Sequence, residues 1–149
     1  MIEIGTPAPD FESIDSRGKR FRLSDLRGKK VVLYFFPKAF TGGCTIETKQ
    51  FAELSPSLSN RGVEVVGISV DSAETQTKFA AHCAANFPIV SDPSKVIARS
   101  FGVLSLVGFS KRVTFFIDEG GIVRDIVASM LPGPHLSRVR KEFLAADGA

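Results

Sequence analysis

One stretch of the chain carries residue types at a spacing that suits redox chemistry: Pro37-Lys38-Ala39-Phe40-Thr41-Gly42-Gly43-Cys44. It lies between the apolar run Val31-Val32-Leu33-Tyr34-Phe35-Phe36 and the segment Thr45 to Phe51. The pattern reads as a buried strand, a tight proline and glycine turn, and a cysteine where a helix begins. That position matters because the thiolate, not the thiol, is the nucleophile. The unpaired N–H groups and positive dipole end of a helix start stabilise it. The only other cysteine, Cys83, is 39 residues downstream. Reducing compartments keep structural disulfides open, so each cysteine is either reactive or simply buried.

Around Cys44 the chain has to supply a scaffold, and Ile4 to Phe11 is extended because Pro7 and Pro9 restrict themselves and their predecessors, with Phe11 packing on the core. Asp15 to Lys19 carries turn residues, Phe21-Arg22-Leu23 alternates as a short edge strand, and Ser24 to Gly28 reads as one capped helical turn closed by glycine. After Cys44, Ile46, Phe51, Leu54 and Leu58 follow helical spacing until Asn60-Arg61-Gly62, with the glycine as C-cap. Val63 to Val70 is β-branched and almost wholly apolar, as a strand covered on both faces would be. Ser72 caps a helix from Ala73 to Ala85, with Phe79 inward and Cys83 near its end. Asn86 to Asp92 reads as a loop with a short extended piece, and Ser94 to Phe101 as a short helix stopped by Gly102. Val103 to Phe109 is an apolar, glycine-containing loop whose role the periodicity leaves open. Arg112 to Ile117 and Ile122 to Val127 flank Asp118-Glu119-Gly120-Gly121, an antiparallel hairpin signal. Pro132-Gly133-Pro134 reads as a break before a last helix from His135 to Ala146. Two parallel units followed by a hairpin and a helix give an α/β, thioredoxin-like fold, with a central mixed sheet flanked by helices.

Residues 1–149 are expected to form a single domain, since the chain is long enough for one sizeable core. Hydrophobic residues make up 44% and charged residues 23%, which excludes a disordered composition. No apolar run approaches the roughly 18 residues of a membrane span. Met1-Ile2-Glu3-Ile4 lacks a basic leader, so no membrane partner and a cytoplasmic location are expected. The net charge is +3, but Asp10, Glu12, Asp15 and Asp25 interleave with the basic clusters, so no nucleic-acid partner is expected. His82 and His135 fall in separate segments without ligand spacing, and Thr41-Gly42-Gly43 lacks the lysine of a phosphate loop. Neither a metal nor another cofactor is expected.

These residues resemble the peroxiredoxin family. Pro37, Thr41 and Cys44 match its P-x-x-x-T-x-x-C pattern, and Arg112 stands where that family keeps an arginine at the start of a late strand. Gly5-x-Pro7-Ala8-Pro9-Asp10-Phe11, Glu47 and Thr114-Phe115-x-Ile117-Asp118 look like the bacterioferritin-comigratory protein, or peroxiredoxin Q, subgroup, so the likeness covers nearly the whole chain. The resemblance implies a thiol peroxidase acting on hydrogen peroxide and organic hydroperoxides, with Cys44 oxidised to a sulfenic acid. Cleaving an O–O bond requires an aligned sulfur and donors aimed at the oxygen that gains charge. By the same resemblance, the Thr41 hydroxyl, N–H groups near Gly43 and Cys44, and the Arg112 guanidinium hold the peroxide. Arg112 also favours the thiolate, Pro37 shields the sulfur and Glu47 orients Arg112. Plainer readings stand beside these. Arg112 could be an edge charge, Glu47 an acid placed in a first helical turn, Pro37 a strand end and Thr41 a turn or capping hydroxyl.

A sulfenic acid must meet a second thiol before oxidation becomes irreversible. Many relatives place that thiol five residues after the first, where this chain has Lys49. Some subgroup members instead carry it on the second helix, which implies an intramolecular Cys44–Cys83 disulfide; a buried structural Cys83 is the alternative. Bonding requires Cα atoms within about 7 Å. Local unwinding of one or both helices is therefore expected, with Gly42 and Gly43 as hinges. Phe40, Leu104, Leu106, Val107 and Phe109 could form an apolar rim for alkyl substrates, a reductant or a dimer contact, or lie in the core. The expected reductant is thioredoxin or a similar dithiol protein, and the expected state a monomer or weak homodimer. The rival readings are a thiol–disulfide oxidoreductase, which usually needs a Cys-x-x-Cys pair that Thr41 and Glu47 do not supply, and a non-catalytic redox sensor.

Overall fold

The most apolar run of the sequence becomes the middle of the molecule. In the structure, a computed structural model that describes residues 1–144, this run forms strand β3 (Lys30–Phe35). The elements before it are β1 (Glu12–Ile14) and β2 (Arg20–Arg22). After it come α1 (Gly42–Ser59), β4 (Val63–Ser69), α2 (Ala73–Cys83), β5 (Ile89–Ser91) and α3 (Val96–Phe101). Strands β6 (Val113–Ile117) and β7 (Val123–Ala128) precede α4 (Pro132–Val139), which widens into a π-type turn at Arg140–Leu144. The main sheet has the order β5-β4-β3-β6-β7. Strand β3 runs parallel to β4 and antiparallel to β6, while β5 is parallel to β4 and β7 antiparallel to β6.

Alternation along β3 divides the core. Val32, Tyr34 and Phe36 join Phe51 and Leu58 of α1, Phe79 and Cys83 of α2, and Leu136 and Val139 of α4. Val31, Leu33 and Phe35 turn the other way, onto Ile97 and Phe101 of α3 and onto Ala8, Phe21 and Leu23. Helices therefore cover both faces, which is why β3 could be uniformly apolar. This is the expected mixed sheet flanked by helices.

Several details differ from the sequence reading. The extended piece before Asp92 is a fifth sheet strand, β5, paired with β4 through Gly67↔Ile89 and Ser69↔Ser91. The short alternating strand is an edge strand as expected, paired with Glu12–Ile14 in a two-stranded sheet of its own. Ile46 follows helical spacing yet is 53% exposed, on the outer side of α1. Asn60 occupies the C-cap of α1, and Gly62 takes the left-handed conformation two residues later. Helix α2 ends at Cys83 because Ala84 turns left-handed. Pro132-Gly133-Pro134 does not break the chain but opens α4. Proline at the first helical position loses no hydrogen bond, because that N–H has no intrahelical acceptor. The expected extension of the last helix to Ala146 lies outside the described residues.

Candidate active site

The turn from β3 into α1 delivers Cys44. Thr41, with φ −79° and ψ 155°, is the N-cap, and Gly42, Gly43 and Cys44 form the first helical turn. Thr45 N–H closes that turn on the Thr41 carbonyl at 2.9 Å. Cys44 is fully buried, and its sulfur accepts a hydrogen bond from Arg112 Nη2 at 3.5 Å. Arg112 reaches it from the residue just before β6.

Glu47 lies one turn along α1 from Cys44, on the same helix face. Its Oε1 accepts from Arg112 Nη1 at 2.7 Å, within a pair whose side chains are 0% and 6% exposed. The third donor, Arg112 Nε, reaches the Met130 carbonyl at 2.9 Å. Because Glu47 is the sixth residue of α1, the first-turn dipole argument does not account for it; its contact is Arg112. Burial pushes the Glu47 carboxyl up to about 7 against the opposing pull of Arg112, and Oε2 has no hydrogen-bond partner. Burial acts to lower the Arg112 pKa, but Glu47 and Cys44 outweigh it and the net direction is upward. Gly43 is required by space rather than by backbone freedom: a Cβ there would sit 2.9 Å from Arg112 Nη2. Any larger residue would push the guanidinium off the sulfur.

The remaining predicted residues are spread around this centre. The Thr41 hydroxyl is exposed and donates to the Lys38 carbonyl at 2.7 Å rather than capping the helix. Pro37 is half-buried at the end of β3. Cys83 is buried at the last position of α2, in the same apolar cluster as Cys44, and both thiols are free. Burial pushes the Cys83 thiol up, partly offset by the positive charge of Lys49. The residue that replaces a short-spaced second cysteine thus still acts on Cys83 electrostatically.

The exposed apolar residues Phe40, Leu106, Val107 and Phe109 find different partners. The Phe40 ring packs on Phe79 and His82 of α2, with centroids 5.3 and 5.5 Å away. Phe109 instead lies under the Lys38 ammonium at 5.4 Å, and Leu106 and Val107 are exposed. Phe40 also adopts φ 66°, a left-handed conformation unfavourable for an L side chain.

Sequence reasoning missed three groups around the site. The Asp71 carboxylate accepts from Ala39 N–H at 2.8 Å and from Ser69 Oγ at 2.6 Å, tying the turn to the start of α2. Met130 contributes a main-chain carbonyl, which no side-chain pattern can announce. His135, considered only as a metal ligand, is fully buried between Thr114 and Ser129.

Comparison with known proteins finds relatives over most of the chain. The model of the AhpC/TSA family covers residues 4–126. A putative peroxiredoxin bcp of Helicobacter pylori (strain ATCC 700392 / 26695) is 36% identical over 145 residues, spanning 93% of this chain and 95% of the relative. Peroxiredoxin Bcp of Escherichia coli (strain K12) is 33% identical over 132 residues, spanning 84% and 85%. The crystal structure of peroxidoxin BcpB from Mycobacterium tuberculosis aligns with a TM-score of 0.87 and 34% identity, covering 98% of both chains. A Xanthomonas campestris bacterioferritin comigratory protein, from a study of alkyl peroxide reduction, aligns with a TM-score of 0.84 and 28% identity, covering 91% of both.

Proposed function

The chain belongs to the AhpC/TSA family and is a peroxiredoxin, a thiol-dependent peroxidase, and on that premise we propose that Cys44 attacks the peroxide and Cys83 resolves the product. The observation that carries this reading is the Arg112 guanidinium, held by Glu47 at 2.7 Å with its other terminal nitrogen on the Cys44 sulfur at 3.5 Å. A cation so placed favours the thiolate and then serves the oxygen that gains charge.

The Cys44 thiolate attacks the distal oxygen of ROOH, the O–O bond breaks, and its electron pair leaves with RO⁻, which takes a proton to give ROH. Cys44 becomes a sulfenic acid. The Thr41 hydroxyl, whose proton is committed to the Lys38 carbonyl, accepts a hydrogen bond from the peroxide O–H, while helix-start N–H groups near Gly43 and Arg112 donate. Pro37 shields the sulfur side of the turn. Cys83 then condenses with the sulfenic acid, forming the disulfide and releasing water. A dithiol protein such as thioredoxin returns both cysteines to thiols and is itself oxidised to a disulfide.

Hydrogen peroxide and organic hydroperoxides are the proposed substrates. The enzyme is proposed to act in the cytoplasm as a monomer or weak homodimer built from one domain. Among the described residues, no helix is long and apolar enough to cross a membrane. Peroxide consumption coupled to a thioredoxin system tests the assignment. Cys44→Ser is expected to abolish turnover, and consumption that persists in it would overturn the reading. Cys83→Ser is expected to undergo the first oxidation yet fail to recycle. Mass spectrometry after one equivalent of peroxide should show a loss of two hydrogens in the wild type from an internal disulfide.

A further inference from the structure

Arg112 works only if its plane is set, and its two fixed partners differ in kind. Glu47 is a buried residue of a long helix, whereas the Met130 carbonyl belongs to residues 129–131, an irregular connection in which Met130 and Leu131 are each 68% exposed. Such a connection has no intrinsic reason to hold a carbonyl still. Three hydrogen bonds do so. Ser129 N–H donates to the Arg112 carbonyl at 3.3 Å, and Leu131 N–H donates to Ser129 Oγ at 3.2 Å. The third comes from His135: Nε2 lies 2.9 Å from the Ser129 carbonyl, which can only accept, so Nε2 carries the proton.

The other ring nitrogen, Nδ1, lies 2.7 Å from Thr114 Oγ1. Burial holds His135 below its ordinary range, so the ring is neutral and Thr114 O–H donates to Nδ1. Thr114 lies in β6 two residues after Arg112, which immediately precedes the strand, so along this extended segment the two side chains share a face. A closed circuit results, from Arg112 along β6 to Thr114, across to His135, back to Ser129 and Met130, and onto Arg112 Nε.

We propose that His135 is a positioning residue for the peroxidase reaction: set by Thr114, it pins the Ser129–Met130 connection and thereby aims Arg112 at Cys44. The guanidinium is planar, so anchoring Nε and Nη1 fixes where Nη2 points. Releasing the Met130 carbonyl leaves the guanidinium held by Glu47 and the longer contact to the sulfur, and free to swing about the Glu47 contact. Small misplacements of a catalytic group are costly, because the reaction depends on alignment. This inference rests on Cys44 and Arg112 having the roles proposed above.

The test measures the second-order rate constant for single-turnover reaction with hydrogen peroxide. His135→Leu, similar in bulk but without the donor, is expected to react about tenfold more slowly. His135→Gln can still donate to the Ser129 carbonyl and should recover most of that loss. In an Arg112→Ala background His135→Leu should cause no further fall, because the group it positions is gone. Thr114→Val, a milder change that keeps the ring, should give a smaller fall in the same direction, so the proposal remains testable if His135→Leu does not fold. An unchanged rate in folded His135→Leu or Thr114→Val, a failure of His135→Gln to rescue, or full additivity with Arg112→Ala would overturn it. Peroxide reaction persisting in Cys44→Ser would overturn the underlying assignment, and with it this inference; loss there beside unchanged His135 variants would overturn the inference alone.

Discussion

Glu47 is the residue at which stability and chemistry pull against each other. Its carboxyl, pushed up to about 7 by burial against the pull of Arg112, stays protonated in the fold over a pH range where an unfolded glutamate has already ionised. The native state therefore binds the extra proton between about 4.5 and 7, and the contribution of this group to stability falls as pH rises through that window. Urea unfolding at pH 5 and pH 8 checks the sign. Glu47→Gln should remove a pH-dependent loss on the order of 3 kcal/mol, and an equal pH slope in both proteins would refute the assignment. The ionised carboxylate is what Arg112 pairs with, so the same variant should slow reaction with peroxide most above neutral pH. Arg112→Ala removes the cation itself and is expected to lower the rate about a hundredfold or more. Single-turnover peroxide consumption reads that loss.

At the scale of elements, α2 is held differently at its two ends. Near its start, Gln76 Nε2 donates to Ser69 Oγ at 2.7 Å and to the Val90 carbonyl at 3.0 Å, and Asp71 carries the network to the Ala39 amide. At its end, where Cys83 sits, the ties to the Cys44 turn are apolar: the shared core cluster and the Phe40 ring on Phe79 and His82. If both buried cysteines must leave their sites to meet, the last turn of α2 should open before the first. Of the two proposed hinges, Gly42 has open space while Gly43 is packed on Arg112. Phe40→Ala keeps the left-handed backbone and deletes the ring. It should speed hydrogen exchange at residues 80–84 and alkylation of Cys83, with exchange at residues 74–77 unchanged. Uniform acceleration along α2, or none, would show that Phe40 does not secure that end.

For the whole molecule, the sheet interior leaves no room at one glycine. A Cβ on Gly67 of β4 would lie 2.8 Å from the Tyr34 ring, which is fully buried and stacked on Phe51 at 4.4 Å between centroids. The Tyr34 hydroxyl is also bonded to Thr48 of α1 at 2.9 Å, so the ring cannot swing aside cheaply. Gly67→Ala should destabilise the fold by about 1–3 kcal/mol, and a smaller residue at position 34 should recover part of that loss non-additively. Chemical denaturation of the two single variants and the double variant measures the coupling.

Short-range sterics and periodicity made several parts legible in the residues: the apolar run of β3, the cysteine in the first turn of α1, the Ser72 cap and the hairpin around Gly120-Gly121. The sequence also placed Arg112 beside β6 and indicated Glu47 as its partner, because those residue types stand at spacings that resemble a known family. That Ile89–Ser91 joins the sheet emerges in the fold, since three residues carry too little pattern to choose between loop and edge strand. The tertiary structure alone chose the Met130 carbonyl and the Asp71 carboxylate as anchors of the site. Carbonyls are chemically alike along the chain, and what singles one out is the fold that brings residues 112 and 130, or 39 and 71, within hydrogen-bonding reach. The same reason hid His135, an isolated residue in the sequence whose two ring nitrogens find their partners only when β6 and α4 close around it.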